Sequence, residues 1–151
     1  MIELATLHDR PAVERLAKQV HSQHVDWRPD IYRMPEEMFP EERFLELIGK
    51  REIYVAKLDG NVVGYAQTAI RTIESPALCP RKIFQIQQFC VDESIRGHGI
   101  GTQMAAELRL LSKAFRCSDM MLSVYPQNDA AVSFWQKCGF MIQNINMQCK
   151  A

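Results

Sequence analysis

The chain has 151 residues, 47% of them hydrophobic and 24% charged, and its 18 Lys plus Arg balance 18 Asp plus Glu to a formal net charge of zero. At this length a folded chain buries roughly 70% of the surface its unfolded form exposes, enough for one core without metal or disulfide staples, and a second domain is not expected. The neutral balance excludes a general nucleic-acid or anionic-membrane binder, which needs a large excess of Lys and Arg, so any polyanion site must be local.

The five cysteines, Cys79, Cys90, Cys117, Cys138 and Cys149, are scattered without a CxxC pair, which reads as reduced thiols. The N-terminal MIELATLHDR lacks a basic start and an apolar run, and no stretch approaches eighteen apolar residues. A cytoplasmic location is the expectation.

In chain order, Ile2 to Ala5 suits a short strand, and Asp9 then caps a helix with Pro11 in its first turn and Val13, Leu16, Ala17 and Val20 on one face. HSQHVDWRPDIYRMP, with Pro29 and Pro35 set among the large residues Trp27, Ile31 and Tyr32, reads as a structured loop. A second helix is expected from about Pro40 to Ile48, ended by Gly49. EIYVAKL and NVVGYAQTAIRTI flank Asp59-Gly60, a pair that tolerates the positive φ angles of a type I′ hairpin turn. Glu74 to Arg81, with Pro76 and Pro80, reads as a loop, and Ile83 to Val91 returns as a strand.

Beyond Val91 the apolar period changes from two to 3.6: Ile100, Met104, Leu108, Leu111 and Phe115 form one stripe of a long helix. Met120 to Tyr125 then reads as a short strand, Asn128 caps a last helix that ends at Gly139, and Phe140 to Cys149 has a weak strand pattern. The expected order is β-α-α-β-β-β-α-β-α-β in one α/β domain over residues 1–151.

Chemistry concentrates in Arg96-Gly97-His98-Gly99-Ile100-Gly101-Thr102, between a strand end and a helix start. Glycines let several backbone N–H groups converge on one point, the helix N-terminus adds unpaired donors and partial positive charge, and Arg96 adds a forked cation. Together they form a cradle for phosphate or pyrophosphate. A P-loop fails because Gly101 is followed by Thr102-Gln103 with no lysine, and a dinucleotide-binding turn fits poorly because Asp119 precedes the next strand instead of ending it.

At these residues the sequence resembles the GCN5-related N-acetyltransferase (GNAT) superfamily, whose pyrophosphate motif Q/R-x-x-G-x-G/A reads here Arg96 to Gly101. A second block, an Asn followed by a helix ending F-Y-x-x-x-G-F, is matched by Asn128 and Phe134-Trp135-Gln136-Lys137-Cys138-Gly139-Phe140. The resemblance covers residues 50–151 with specific motifs, and the first fifty only in their β-α-α order. It implies a GNAT-like mixed sheet whose splayed central strands, here those ending at Val91 and Tyr125, form the acetyl-CoA cleft.

By the same resemblance, the backbone of Phe89, Cys90 and Val91 would pair with the pantetheine amides, and the Val91 N–H would stabilise the oxyanion. Arg96, Gly97, His98, Gly99, Ile100, Gly101 and Thr102 would hold the pyrophosphate, His98 through its backbone N–H. Asn128 would reach the pantetheine with its amide, serve as a helix N-cap, or do both. The implied chemistry is direct attack of an amine on the acetyl-CoA thioester in a ternary complex, with no metal.

The chain departs from the family pattern where Trp135 occupies the position that often carries an acidic tyrosine, and Trp135 is read as core packing. Tyr125 is the substitute candidate for the acid, with water as the alternative. No base stands out among Glu74, Asp92, Glu93, His21 and His24, since the strand reads Gln85, Ile86, Gln87, Gln88 without a carboxylate. Cys90 as a nucleophile is disfavoured because no histidine is close in sequence.

The acidic run Glu36, Glu37, Glu41, Glu42 and Glu46 either favours a cationic acceptor or is a solvated helix face. The expected partner is a small-molecule amine or a peptide or protein amino group, with no nucleic acid and no membrane, and a homodimer is compatible with the sequence. The alternative is an acyl-CoA-binding module with weak or no catalysis.

Overall fold

A computed structural model describes residues 1–151 and contains β1 (Ile2–Leu4), α1 (Arg10–Trp27), α2 (Glu41–Gly49), β2 (Ile53–Leu58) and β3 (Asn61–Ser75). These are followed by β4 (Leu78–Val91), α3 (Ile100–Ala114), β5 (Asp119–Met121) and α4 (Asp129–Lys137). One five-stranded sheet runs in the order β1-β2-β3-β4-β5, antiparallel except for the parallel β4–β5 pair.

Two helical layers cover it. Leu16 of α1 and Phe44 and Leu47 of α2 pack on Val55 and Tyr65 on one face, while α3 and α4 pack Leu108 and Trp135 on Phe84 and Ile86 on the other. Glu14 of α1 pins the approach to α2, its carboxylate accepting from the backbone N–H groups of Met38 and Phe39. The β2–β3 turn is as expected, with positive φ at both Asp59 (50°) and Gly60 (79°).

Four boundaries differ from the sequence reading. Helix α1 continues through HSQHVDW to Trp27, because that stretch contains no breaker and the helix stops only where Arg28 leaves helical geometry before Pro29. The expected loop Glu74 to Arg81 is mostly ladder, since β3 and β4 pair as far as Ser75 with Leu78. Pro80 is accommodated there because the register shifts between Ile73 and Ser75, a bulge position where no ladder donor is needed.

The strand expected at Met120 to Tyr125 pairs only over Asp119–Met121. Phe140 to Cys149 forms no strand at all: Met141 and Met147 are 89% and 91% exposed. An alternating pattern becomes a strand only where an edge accepts it and one face can be buried. With β5 ending at Met121, the segment meets neither condition.

Candidate functional site

Strand β4 is paired to β3 along its whole length, up to Val91 opposite Gly64. Its pairing with β5 covers only Ile83–Asp119, Phe84–Met120 and Gln85–Met121. From Ile86 to Val91 the β5 side of β4 therefore has no strand neighbour, and the sheet splits there.

A bulge marks the split: Gln67 opposes Gln88 while Thr68 opposes Ile86, leaving Gln87 as the extra residue. It inverts the alternation of β4, so Phe84 and Ile86 face α3 before it, while Phe89 and Val91 do so after it and Cys90 turns to the α1 side. The doubled Gln87-Gln88 in IFQIQQFCV is the sequence trace of this bulge.

At the end of β4 the chain turns tightly into α3. The Asp92 carboxylate accepts from Ser94 N (3.1 Å) and Ser94 Oγ (3.0 Å) and pairs with Arg15 (2.8 Å). Gly97 and Gly99 have φ of 84° and 82°, in the left-handed region that disfavours any side chain. Gly99 is the N-cap of α3 and no side chain caps the helix, so its first-turn N–H groups face outward unpaired.

Arg96 donates Nε to the Val91 carbonyl at 3.0 Å, which ties the guanidinium to the strand end and leaves its terminal nitrogens available. The His98 ring folds back, Nδ1 lying 3.0 and 3.1 Å from the Ile95 and Arg96 carbonyls, and so braces the loop. Ile100 is buried against Met104 and Ala56 and anchors the helix start, while Thr102 is exposed. Gly101 has a packing role: a Cβ there would lie 3.3 Å from the Phe134 ring of α4 and 3.5 Å from Val91 Cγ2. A glycine-rich turn, an uncapped helix N-terminus and a guanidinium anchored through Nε at a split sheet meet the requirements of a bound anionic group.

Beyond β5, Asn128 acts as the N-cap of α4, its Oδ1 accepting from Ala131 N at 3.2 Å. Tyr125 reaches across to the loop after α1, where its hydroxyl is 2.5 Å from the Tyr32 hydroxyl. The His24 ring lies against both, with centroids 5.3 Å from Tyr32 and 5.8 Å from Tyr125. Burial, and then the neighbouring His21, hold the His24 imidazole below its ordinary value, which favours the neutral ring. The hydrogen bond with Tyr125, and then burial, raise the Tyr32 phenol. Sequence reasoning points to the Trp27 to Tyr32 loop as an aromatic wall for the acceptor but not to the pairing of Tyr32 with Tyr125, because nothing local to Tyr32 signals a partner 93 positions away.

The remaining candidates separate cleanly. Cys90 is buried under α1 and desolvation pushes its thiol up to about 11, which removes it as a nucleophile at neutral pH. The Ser94 N–H and Arg15 hold Asp92 at about 2, where it is too weak a base. His21 Nε2 is 2.7 Å from the Arg33 carbonyl and is spent on holding the loop. Glu93 and Glu74 are exposed, Glu74 far along the β3–β4 hairpin.

The glutamines of β4 are engaged across the ladder: Tyr65 Oη donates to Gln88, Gln67 to Gln87 and Arg71 to Gln85. Trp135 is 7% exposed, edge-on to Phe89, Phe134 and Phe140, and its place is the core, as expected. In the acidic run, Glu46 pairs with Arg43 and Lys50, Glu37 with Arg10, and Glu41 and Glu42 lie exposed in the first turn of α2. Glu36 is exposed as well, so two of the five carboxylates are ion-paired and the whole run lies on a solvated surface.

The Acetyltransferase (GNAT) family model matches residues 20–140. Among solved structures, a mutant of the BH1408 protein from Bacillus halodurans is 30% identical, covers 100% of this chain and 99% of its own, and superposes with a TM-score of 0.95. An aminoglycoside N-acetyltransferase, AAC(6')-Iy in complex with CoA, shares the fold at 17% identity (TM-score 0.74; 100% of this chain, 93% of that one). Glucosamine-6-phosphate N-acetyltransferase from Arabidopsis thaliana does so at 18% identity (TM-score 0.72; 99% and 97%). No curated protein matches the chain in sequence. No helix is long and apolar enough to cross a membrane. With the family match spanning most of its length and the split sheet in place, the chain belongs to the GNAT family of acetyltransferases.

Proposed function

We propose that this protein is an acetyl-CoA-dependent N-acetyltransferase that transfers the acetyl group to a primary amine by direct attack in a ternary complex. The observation that carries this reading is the free edge of β4 from Ile86 to Val91, which leads directly into the uncapped, glycine-rich start of α3. In it, Phe89, Cys90 and Val91 present backbone groups to the pantetheine amides, with the Val91 N–H at the thioester oxygen. Arg96, Gly97, His98, Gly99 and the first turn of α3 take the pyrophosphate, and the Asn128 amide nitrogen faces the pantetheine. The CoA in the AAC(6')-Iy complex supports acetyl-CoA as the cosubstrate.

Tyr125 serves as the acid that protonates the departing thiolate. His24, beside Tyr125 and with its neutral form favoured by burial, takes the proton from the amine in this reading. The acceptor approaches from the α1 side, where Tyr32, His24 and Trp27 offer aromatic faces to a cationic amine. A second reading, an acyl-CoA-binding module, is favoured by the absence of any carboxylate among Gln85, Gln87 and Gln88 and by Trp135 being committed to the core.

The two readings separate in a thiol-release assay with acetyl-CoA over spermidine, glucosamine and a lysine-containing peptide, run beside a CoA thermal-shift titration. Amine-dependent release supports the enzyme. CoA-induced stabilisation without release from any amine supports the binding module. In the enzyme, Tyr125→Phe should lower turnover about a hundredfold while CoA affinity stays near wild type; equal turnover removes Tyr125 from the mechanism.

A further inference from the structure

We propose that Tyr32 is a positioning residue for acyl transfer, its hydroxyl fixing the Tyr125 phenol beside the diverging ends of β4 and β5 and donating to the phenolate that proton release leaves behind. The inference rests on Tyr125 being the acid and asks what makes it an effective one. The two hydroxyls are 2.5 Å apart, and the rings meet edge-on with centroids 6.1 Å apart. Both are phenols, so at rest one donates and the other accepts. When Tyr125 loses its proton, only one arrangement remains: Tyr32 O–H donating to Tyr125 O⁻, a charge-assisted bond stronger than the neutral one it replaces.

The surroundings suit that role. From α1 the pair is faced by His24 and, at Tyr32, by His21, with centroids 5.8 Å apart. From the loop it is faced by Arg28, which lies within electrostatic reach of both phenols, and by Asp30, which accepts from Arg28 Nε and Nη2 at 2.9 and 2.8 Å. The C-terminal segment contributes the uncharged Gln148, 3.2 Å from Arg28. Neither phenol has a carboxylate as its hydrogen-bond partner; a carboxylate would oppose formation of the phenolate.

The step balances without a further reactant. The amine lone pair forms the N–C bond, the C–S bond breaks with its electron pair on sulfur, and Tyr125 gives its proton to that sulfur. The proton shed by the attacking nitrogen passes through His24 back to the Tyr125 phenolate, so amine plus thioester becomes amide plus thiol. The Tyr32 proton stays on its own oxygen throughout.

The test uses the full chain as wild type, Tyr32→Phe, Tyr125→Phe and the double variant. Thiol release from acetyl-CoA is followed with the three amines above and with water alone, so a rate exists even if none of those amines is a substrate. The expected result is a kcat lowered about tenfold by Tyr32→Phe, a KM for acetyl-CoA within about twofold of wild type, and a double variant no slower than Tyr125→Phe. A merely structural role would instead raise KM, lower the melting temperature and multiply with the second substitution.

Independently of any acceptor, NMR titration of ¹³Cζ-labelled tyrosines should place the Tyr32 ionisation above that of ordinary tyrosine in the wild type and return it toward ordinary in Tyr125→Phe. An unmoved Tyr32 titration, a wild-type rate in Tyr32→Phe, or multiplicative losses in the double variant overturns the proposal. If Tyr125→Phe itself keeps the wild-type rate, the acid assignment fails first; if only Tyr32→Phe does, the acid stands and Tyr32 is dismissed.

Discussion

At the scale of residues, the proposed anion cradle would depend on two kinds of group that fail differently. Arg96 contributes charge, and Arg96→Ala should weaken CoA binding about tenfold in a calorimetric titration, as expected for the loss of charged hydrogen bonds. Gly99 contributes conformation: at φ 82° any side chain is strained, and Gly99→Glu adds a like charge where phosphate is expected. It should weaken CoA binding more than Arg96→Ala does; unchanged affinity in both would overturn the phosphate assignment.

Asp92 makes the same turn sensitive to acid. Its folded-state carboxyl lies at about 2 against an ordinary 3.8, so its stabilisation is complete above 3.8 and is lost as pH falls through about 2. Asp92→Asn should flatten that part of the stability profile when melting temperature is followed against pH. For His24 the folded value is depressed below 6.5, so the unfolded chain takes up the proton first. Its stabilising contribution is present above 6.5 and disappears as pH falls through the folded-state value.

Elements hold the site by close approach. Helix α3 crosses β3 at Gly64, where a Cβ would lie 2.7 Å from Met104 Sδ and 2.8 Å from the Cys90 carbonyl. The methionine can swing away but the backbone oxygen cannot, and that oxygen lies in the segment of β4 proposed to face the pantetheine. Gly64→Ala should therefore cost about 1–3 kcal/mol in chemical denaturation and also reduce CoA affinity. Gly101→Ala meets side chains alone, the Phe134 ring at 3.3 Å and Val91 Cγ2 at 3.5 Å, and should destabilise less, by about 1 kcal/mol. Equal losses would mean that backbone rigidity at Cys90 is not what limits the approach.

At the scale of the molecule, the split in the sheet has a consequence for the C-terminus. Since β5 stops at Met121 and no strand follows α4, the chain beyond Phe140 contributes nothing to the ladder, and its apolar residues Met141, Ile142, Ile145 and Met147 are exposed. Removing residues 141–151 should shift the melting temperature by only a few degrees. A loss of cooperative unfolding would show that this segment supports the sheet after all.

The element order up to α4, the β2–β3 turn at Asp59-Gly60 and the tight glycine turn into α3 at Gly97 and Gly99 are legible in the sequence because each is encoded within a few adjacent residues. Periodicity, glycine placement and the Asn128 cap of α4 are local physics, whereas Asp9 makes no side-chain cap bond to α1 and accepts from Thr6 instead. The loop reading of HSQHVDW failed for a related reason: polar residues weaken the apolar pattern, yet without a breaker the helix runs on to Arg28. What the tertiary structure alone decided is where strands find partners and which distant side chains meet. Register placed the bulge at Gln87 and ended the β4–β5 pairing at Gln85 and Met121. Packing of α1 against the sheet brought Tyr32 to Tyr125 across 93 positions. A strand pattern states only that a segment can pair, and a tyrosine only that it can donate; geometry between remote segments supplies the partner.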